Sequence, residues 1–390
     1  MSSLARQVVA AIKSVVGPGP AVLHEPLFRG NEWNYVKECI DSTFVASGGR
    51  FVTQFENDLS CFTGSPYVVA VSSGTAALHI ALCVAGVLKN EEVLVPDLSF
   101  VATANAVSYC GAIPHFVDCE ENTLGVSPAR LRRYLEKAAE KRGDYSVNRE
   151  TGRVIKALIP MHTFGHPAAM DELLQLARDC NLIIVEDAAE SLGSFYGKRH
   201  TGTLGLAGVL SFNGNKTITT GGGGAILTGD KKFASMARHL SQTAKVPHPW
   251  NYQHDQIGFN YRLPNLNAAL GCAQLEQLPS LIDLKRKLFQ HYKSAFEEIQ
   301  SVKLFSEPLG ARSNYWLQTL MLEEDKIAEQ EDILQDASRA GYMLRPAWQC
   351  LSDLEPYRDS PRMANMISKR LASRLINIPS SPQIVRNGST

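Results

Sequence analysis

An imbalance of charge is the first thing the 390-residue chain lacks. Its 39 Lys plus Arg stand against 39 Asp plus Glu, so overall charge favours neither nucleic acid nor an anionic membrane. Any anion site must be local. Long apolar runs are also missing: charged or polar residues interrupt each one well before a bilayer could be spanned, and no transmembrane helix is expected. The eight cysteines, Cys39, Cys61, Cys83, Cys110, Cys119, Cys180, Cys272 and Cys350, include no C-x-x-C pair, which points away from a zinc site and from a disulfide framework. Reduced thiols in the cytoplasm are the simplest expectation. Internal repeats and low-complexity tracts are absent as well. The start, 1–17, has Arg6 and Lys13 among small apolar residues but no continuous apolar core with a cleavage site, so it reads as an amphipathic helix rather than a signal.

What the chain does have is a globular composition, 44% hydrophobic and 20% charged, with length for two or three domains. Short β-rich runs at 68–72, 92–96, 115–118, 155–160, 182–186, 209–212 and 225–227 alternate with helical patterns at 75–86, 102–109, 128–142 and 168–180. Repeated βα units predict an α/β fold with a mainly parallel sheet covered by helices, and ligands gather at the carboxyl ends of such strands. Beyond Leu263 the pattern changes to long helices, 265–278 and 281–299, and then to a mixed segment with a strand over 315–322. That predicts a large domain, 1–275, and a smaller α+β domain, 276–390. The charged, turn-rich stretch 140–153 reads as an exposed excursion.

Lys216 is the first residue that could support chemistry. It lies in Ser211-Phe212-Asn213-Gly214-Asn215-Lys216-Thr217, and Gly221 to Gly224 follow, a degree of backbone freedom suited to a tight return beside a ligand. A phosphate-binding P-loop fails, because Asn215 separates Gly214 from Lys216 and Gly208 is one residue too far upstream. Lysine can instead form a Schiff base with a carbonyl cofactor. Such chemistry asks for an acid near a protonated pyridine nitrogen and for a phosphate cradle. Asp187, where a buried strand ends, can be that acid, or it can cap the next helix. Ser73-Gly74-Thr75 opens a helix whose amides favour a phosphate, or it is a plain cap. The three features occur in the order cradle, acid, lysine, each at a strand end.

At these residues the chain resembles the DegT/DnrJ/EryC1/StrS family of pyridoxal-phosphate-dependent sugar aminotransferases, which have the aspartate aminotransferase-like fold type I. The likeness runs through Val71 to His79, Val93 to Pro96, Ser99 to Asn105, Glu186 to Glu190 and Gly258 to Arg262. His24-Glu25-Pro26, Gly30 to Trp33, the Lys216 segment, Ser313 to Trp316 and Arg345 to Trp348 make it most similar to the LegC-type branch. That branch aminates the 4-keto group of UDP-linked 2-acetamido-2,6-dideoxy-hexoses. The resemblance implies pyridoxal 5'-phosphate as cofactor, with pyridoxamine phosphate between half-reactions, and L-glutamate as donor. It implies that Lys216 forms the Schiff base and shuttles the proton, that Asp187 pairs with the pyridine nitrogen, and that His162 joins them as a catalytic residue facing the site. Phe100 would stack on the ring, Gly74, Thr75 and Ser211 would hold the phosphate, and Glu190 would lie near the ring hydroxyl.

Asn260 would reach the phosphate of a neighbouring subunit, making the active unit a homodimer. Arg262 would meet the substrate diphosphate or form a structural ion pair. Phe164, Trp316 and Trp348 are expected at the sugar or nucleotide, with core packing as the alternative for the two tryptophans. His162 and His166 have a helical metal spacing, but Gly165 and Pro167 oppose a helix, and no metal is expected. The stretch before His24 could be a subunit-contact helix. Family members continue beyond 377–379 into an acidic closing helix, which the residues from Pro382 onward do not resemble. The alternatives are a nucleotide 3-keto-sugar aminotransferase and a catalytically impaired cofactor-binding partner or regulator.

Overall fold

Residues 3–387 are described by a computed structural model. Its large sheet contains β1 (Tyr67–Val71), β2 (Glu92–Pro96), β3 (Ile113–Val117), the hairpin β4 (Ala139–Arg142) and β5 (Tyr145–Asn148), β6 (Val154–Leu158) and β7 (Ile183–Asp187). Two short strands, β8 (Phe195–Tyr196) and β9 (Arg199–His200), precede the last members of the large sheet, β10 (Ala207–Ser211) and β11 (Gly224–Thr228). The spatial order is β1-β11-β10-β7-β6-β2-β3. β11 is antiparallel to both neighbours, while β10, β7, β6, β2 and β3 pair in parallel. All five residues of β2 and of β11 are buried, as a sheet covered on both faces requires.

The N-terminal helix α1 (Ser3–Val16) is followed by α2 (Glu32–Asp41), α3 (Arg50–Thr63), α4 (Gly74–Val84), α5 (Val101–Tyr109), α6 (Pro128–Ala138), α7 (Met170–Asp179) and α8 (Lys231–Ser241). One face of the sheet packs on α4, α5 and α8 through residues such as Ala77, Ile80, Val107 and Phe233. The other face packs partly on α6 and α7 through Leu131, Leu173 and Leu176, and partly on α3 and the long helix α9 (Asn265–Phe296). The expected break in α9 at Pro279 does not occur. Proline removes one helical donor, at a cost of about 3 kcal/mol. Against that, α9 buries Leu275, Leu278, Leu281 and Ile282 in one core and Leu288, Tyr292 and Phe296 in the next, so continuous packing outweighs the lost bond.

The excursion expected at 140–153 is instead a hairpin whose second strand joins β6, with Ser146, Val147 and Asn148 buried. Its anchor is Glu92, a fully buried carboxylate that accepts from Asn148 Nδ2 at 2.9 Å and Thr151 Oγ1 at 2.5 Å and meets His115 Nδ1 at 2.8 Å. Burial alone would raise this carboxyl, but His115 and the two hydrogen bonds hold it below its ordinary value.

Beyond the ladder of β12 (Lys245–Val246) and β13 (Gln253–His254), a second sheet contains β14 (Val302–Leu304), β16 (Gln318–Leu322), β17 (Arg345–Pro346) and β18 (Leu375–Ile378), all antiparallel. Between them, β15 (Ala311–Arg312) pairs with β8, tying the smaller part to the larger. Helices α10 (Gln330–Arg339), α11 (Met366–Arg374) and α12 (Ile384–Asn387) complete it. The apolar face of α1 packs within this chain, where Leu4, Val8 and Ile12 share a core with Leu288, Ile333 and Ile376. Ile384 and Val385 of the four-residue α12 enter the same core. Met1 and Ser2, the first residues of the expected N-terminal helix, and 388–390 lie outside the described residues. The strand expected from 315 begins only at Gln318, because Tyr315 adopts φ +48° and turns the chain. No helix among the described residues is long and apolar enough to cross a membrane.

Candidate active site

The carboxyl edge of the large sheet opens into a cavity of about 470 Å³, closed on its far side by residues of the second sheet. β1 ends at Val71, and Ser73 caps α4 by accepting from Ala76 N at 3.0 Å, so the first turn of α4 faces the cavity through Ser73, Gly74 and Thr75. Close packing forces glycine here. A Cβ on Gly74 would lie 2.9 Å from Ser211 Cβ, and one on Gly224 would lie 2.5 Å from the carbonyl carbon of Ser73. β10, β11 and α4 therefore pack closely where the N-terminus of α4 and Ser211 line the cavity, the kind of place a phosphate occupies.

Alternation along β7 sorts its last two acids to opposite faces. Asp187 lines the cavity, with Oδ2 accepting from Thr103 Oγ1 at 2.7 Å and Oδ1 from Ala189 N at 3.2 Å. Burial pushes its pKa up, and no Lys or Arg lies within ion-pair distance of it among the described residues. A buried acid of this kind calls for a cationic partner. Glu186 points away and accepts from the amides of Gly202, Leu204 and Gly205 at 2.6–2.8 Å.

Lys216 comes from the loop between β10 and β11. That loop is pinned by Phe212 N to Gly223 O at 2.8 Å, Lys216 N to Asn213 O at 3.0 Å and Trp316 Nε1 to Asn215 O at 2.7 Å. Lys216 Nζ points inward, 3.2 Å from Glu190 Oε1 and 3.8 Å from the centre of the Trp316 ring. Glu190 is itself fixed, because its Oε2 accepts from Phe164 N at 2.8 Å. Burial lifts the Glu190 carboxyl to about 7 even though the lysine opposes the shift. Phe164 takes φ +55°, an uncommon conformation for a bulky residue, and Trp348 packs on its ring at 4.8 Å. Phe100, half exposed, reaches the same wall.

The structure thus brings Gly74, Thr75, Phe100, Phe164, Asp187, Glu190, Ser211, Lys216, Trp316 and Trp348 around one cavity. Two residues expected at this chain's own site, His162 and Arg262, lie elsewhere, and Asn260, expected at a neighbouring subunit's phosphate, is also outside the cavity. His162 is fully buried outside the cavity wall: its Nδ1 accepts from Ala168 N at 3.1 Å, so Nε2 holds the proton and donates to Glu186 Oε2 at 3.0 Å. With one nitrogen on Glu186 and the other on the Ala168 amide, and no place in the cavity wall, it is not placed to touch a substrate. Arg262 is ion-paired to Glu56 at 2.6 Å and donates to Ala70 O, which is the structural alternative to a diphosphate contact. Asn260 is exposed and does not line the cavity of its own chain.

Residues 27–388 match the DegT/DnrJ/EryC1/StrS aminotransferase family. The chain belongs to this family. GDP-perosamine synthase of Escherichia coli O157:H7 is 33% identical over 362 residues, 93% of each chain, and the protein of that name from Caulobacter vibrioides is 34% identical over 333 residues, 85% of each. Helicobacter pylori PseC, described as an aminotransferase involved in the biosynthesis of pseudoaminic acid, has the same fold. It superposes with a TM-score of 0.85 at 22% identity, covering 95% of this chain and 97% of its own. The chain is accordingly a sugar aminotransferase of fold type I.

Within this aminotransferase, sequence reasoning missed Arg345. It is an exposed guanidinium at the start of β17 that lines the cavity and has no ion-pair or side-chain hydrogen-bond partner among the described residues. Arg345-Pro346-Ala347-Trp348 was visible as a motif, and a cation three residues before a cavity-lining tryptophan was its signal. Asn213 and Asn377 also reach the wall.

Proposed function

We propose that the chain transfers an amino group from an amino acid, L-glutamate, to the C4 ketone of a nucleotide-linked 4-keto-6-deoxy sugar with pyridoxal phosphate as cofactor. The observation that supports this most is Lys216 Nζ aimed into a cavity whose wall also holds the unpaired acid Asp187 and the glycine-built cradle. Gly74, Thr75 and Ser211 would hold the cofactor phosphate, and Asp187 would meet its ring nitrogen, supplying the negative charge that the buried carboxylate otherwise lacks a partner for. When bound, pyridoxal phosphate would supply an electron sink and carry the amino group between donor and acceptor.

The chain's own groups do the rest. Lys216 holds the cofactor, takes the proton from the donor's α carbon and later delivers one to sugar C4. Glu190, anchored by the Phe164 amide, keeps Nζ directed inward. Trp316 and Trp348 offer apolar faces to a sugar, and Arg345 offers a charge to the donor carboxylate or the nucleotide diphosphate. The 13%-exposed lysine side chain, with its Nζ against the Trp316 ring, is largely shielded from water.

The reading includes a homodimer. Asn260 is exposed next to a segment that leaves Trp250 78%, Tyr252 82% and Ile257 87% exposed, apolar surface that a second copy would cover while Asn260 enters its cradle. The relatives named for a GDP-sugar support a nucleotide-sugar acceptor. The test is to offer UDP- and GDP-linked 4-keto sugars and a 3-keto isomer with L-glutamate and to locate the new amine by NMR. An amine at C4 is expected. Amination at C3 alone, or of no nucleotide sugar, would overturn the proposal.

A further inference from the structure

Outside the cavity, one cluster of ligand-type side chains joins two helices that begin at it. His79 and Cys83 lie four residues apart on α4, hence on one face, and Cys110 follows the last turn of α5. Their ligand atoms all fall within 4.8 Å of one another. In a tetrahedral centre with metal–sulfur bonds of about 2.3 Å, two thiolates sit about 3.8 Å apart. The Cys83 and Cys110 sulfurs are 3.8 Å apart. His79 is 5% exposed, its Nδ1 has no hydrogen-bond partner, and its ring is held by Phe259 at 4.6 Å and Tyr109 at 5.7 Å.

From this geometry we infer that His79, Cys83 and Cys110 form a binding site for a thiophilic metal ion of the zinc class, with a fourth position left to water. Both cysteines are partly exposed, which gives the ion a route in. Binding would release the thiol protons, form two metal–sulfur bonds and one metal–nitrogen bond, and change no oxidation state. A disulfide is the competing use of two touching thiols, but it would leave the histidine without a role. The buried imidazole with a free nitrogen favours the metal. The sequence expectation of no metal site rested on the absence of C-x-x-C spacing; here one ligand comes from a second helix, 27 residues on.

An occupied site would fasten the far ends of α4 and α5, whose opposite ends present Gly74 and Phe100 to the cavity. Cadmium ion is a suitable probe, since its thiolate charge-transfer absorption lies clear of the cofactor band. Reduced, chelator-treated holoprotein is expected to bind about one ion per chain with growth of that absorption and a rise in Tm. Cys83→Ser with Cys110→Ser should abolish both, and His79→Gln should weaken binding by about tenfold or more. X-ray absorption on the unsubstituted cadmium form counts neighbours without relying on a variant: two sulfurs and a nitrogen are expected. No thiolate absorption, absorption that survives the double substitution, fewer than two sulfur neighbours, or a Cys83–Cys110 disulfide in place of metal uptake would each overturn the assignment.

Discussion

Glu190 offers a quantitative test of how the site is built. Its carboxyl is buried and lifted to about 7 from an ordinary 4.5. Between those values the folded chain keeps a proton that the unfolded chain has released, so stability must fall as pH rises through this window. Below about 4.5 both states are protonated, and above about 7 both are ionised, so the loss is complete there. At ~1.4 kcal/mol per pH unit, the span amounts to about 3 kcal/mol. Glu190→Gln removes the titration while keeping an acceptor for the Phe164 amide. The assay is urea unfolding of cofactor-free protein at intervals from pH 4.5 to 8, for both forms. Groups common to both, such as buried Asp187 and His24, cancel in the difference, and a uniform offset from the substitution drops out. The stability of the wild type relative to the variant should decline by about 3 kcal/mol across the window. A flat difference would refute the claim that desolvation dominates over the Lys216 ion pair, and a rising one would show the lysine winning.

Three further outcomes follow from the same geometry. Asp187→Asn should fold but slow the donor half-reaction by about tenfold or more, equivalent to ~1.4 kcal/mol of barrier, measured by stopped-flow absorbance; an unchanged rate would remove its electronic role. Arg345→Ala should raise KM for one substrate by about tenfold with little change in kcat, as loss of a charged contact made equally in ground and transition states would do; unchanged steady-state kinetics would remove Arg345 from the binding site. Lys285, fully buried with its pKa driven well down by burial, donates to Trp316 O at 2.9 Å and Ser380 O at 2.8 Å. Lys285→Met leaves both carbonyls unpartnered and should cost about 2 kcal/mol or more in urea unfolding, whereas a more stable variant would contradict that reading.

Local signals were legible where they sit within one segment. Ser73 before a helix, Asp187 at the end of an apolar strand and the glycine run after Lys216 each announce themselves within a few residues, and the fold brings all three to one sheet edge. Contacts assembled from distant segments were not legible. Glu92 reads as a polar edge to a strand, yet it is fully buried because His115, Asn148 and Thr151 converge on it. Pro279 signals a helix break, and only the two cores on either side of α9 show why none occurs. His162 sits in a motif at a strand end, but which face it takes depends on Glu186 and the Gly202–Gly205 amides across the sheet. Arg345 stands in a legible motif, but its place at the cavity depends on the second sheet, distant in sequence from the strands that form the opposite wall.

The most direct test of the central claim is the absorption spectrum of the purified protein with pyridoxal phosphate, before and after L-glutamate, in wild type and in Lys216→Ala. The account predicts a yellow band in the wild type that borohydride fixes onto Lys216 and that L-glutamate bleaches, with no reducible adduct in a folded Lys216→Ala. Borohydride trapping on another residue, or a band that no amino acid bleaches, would contradict it.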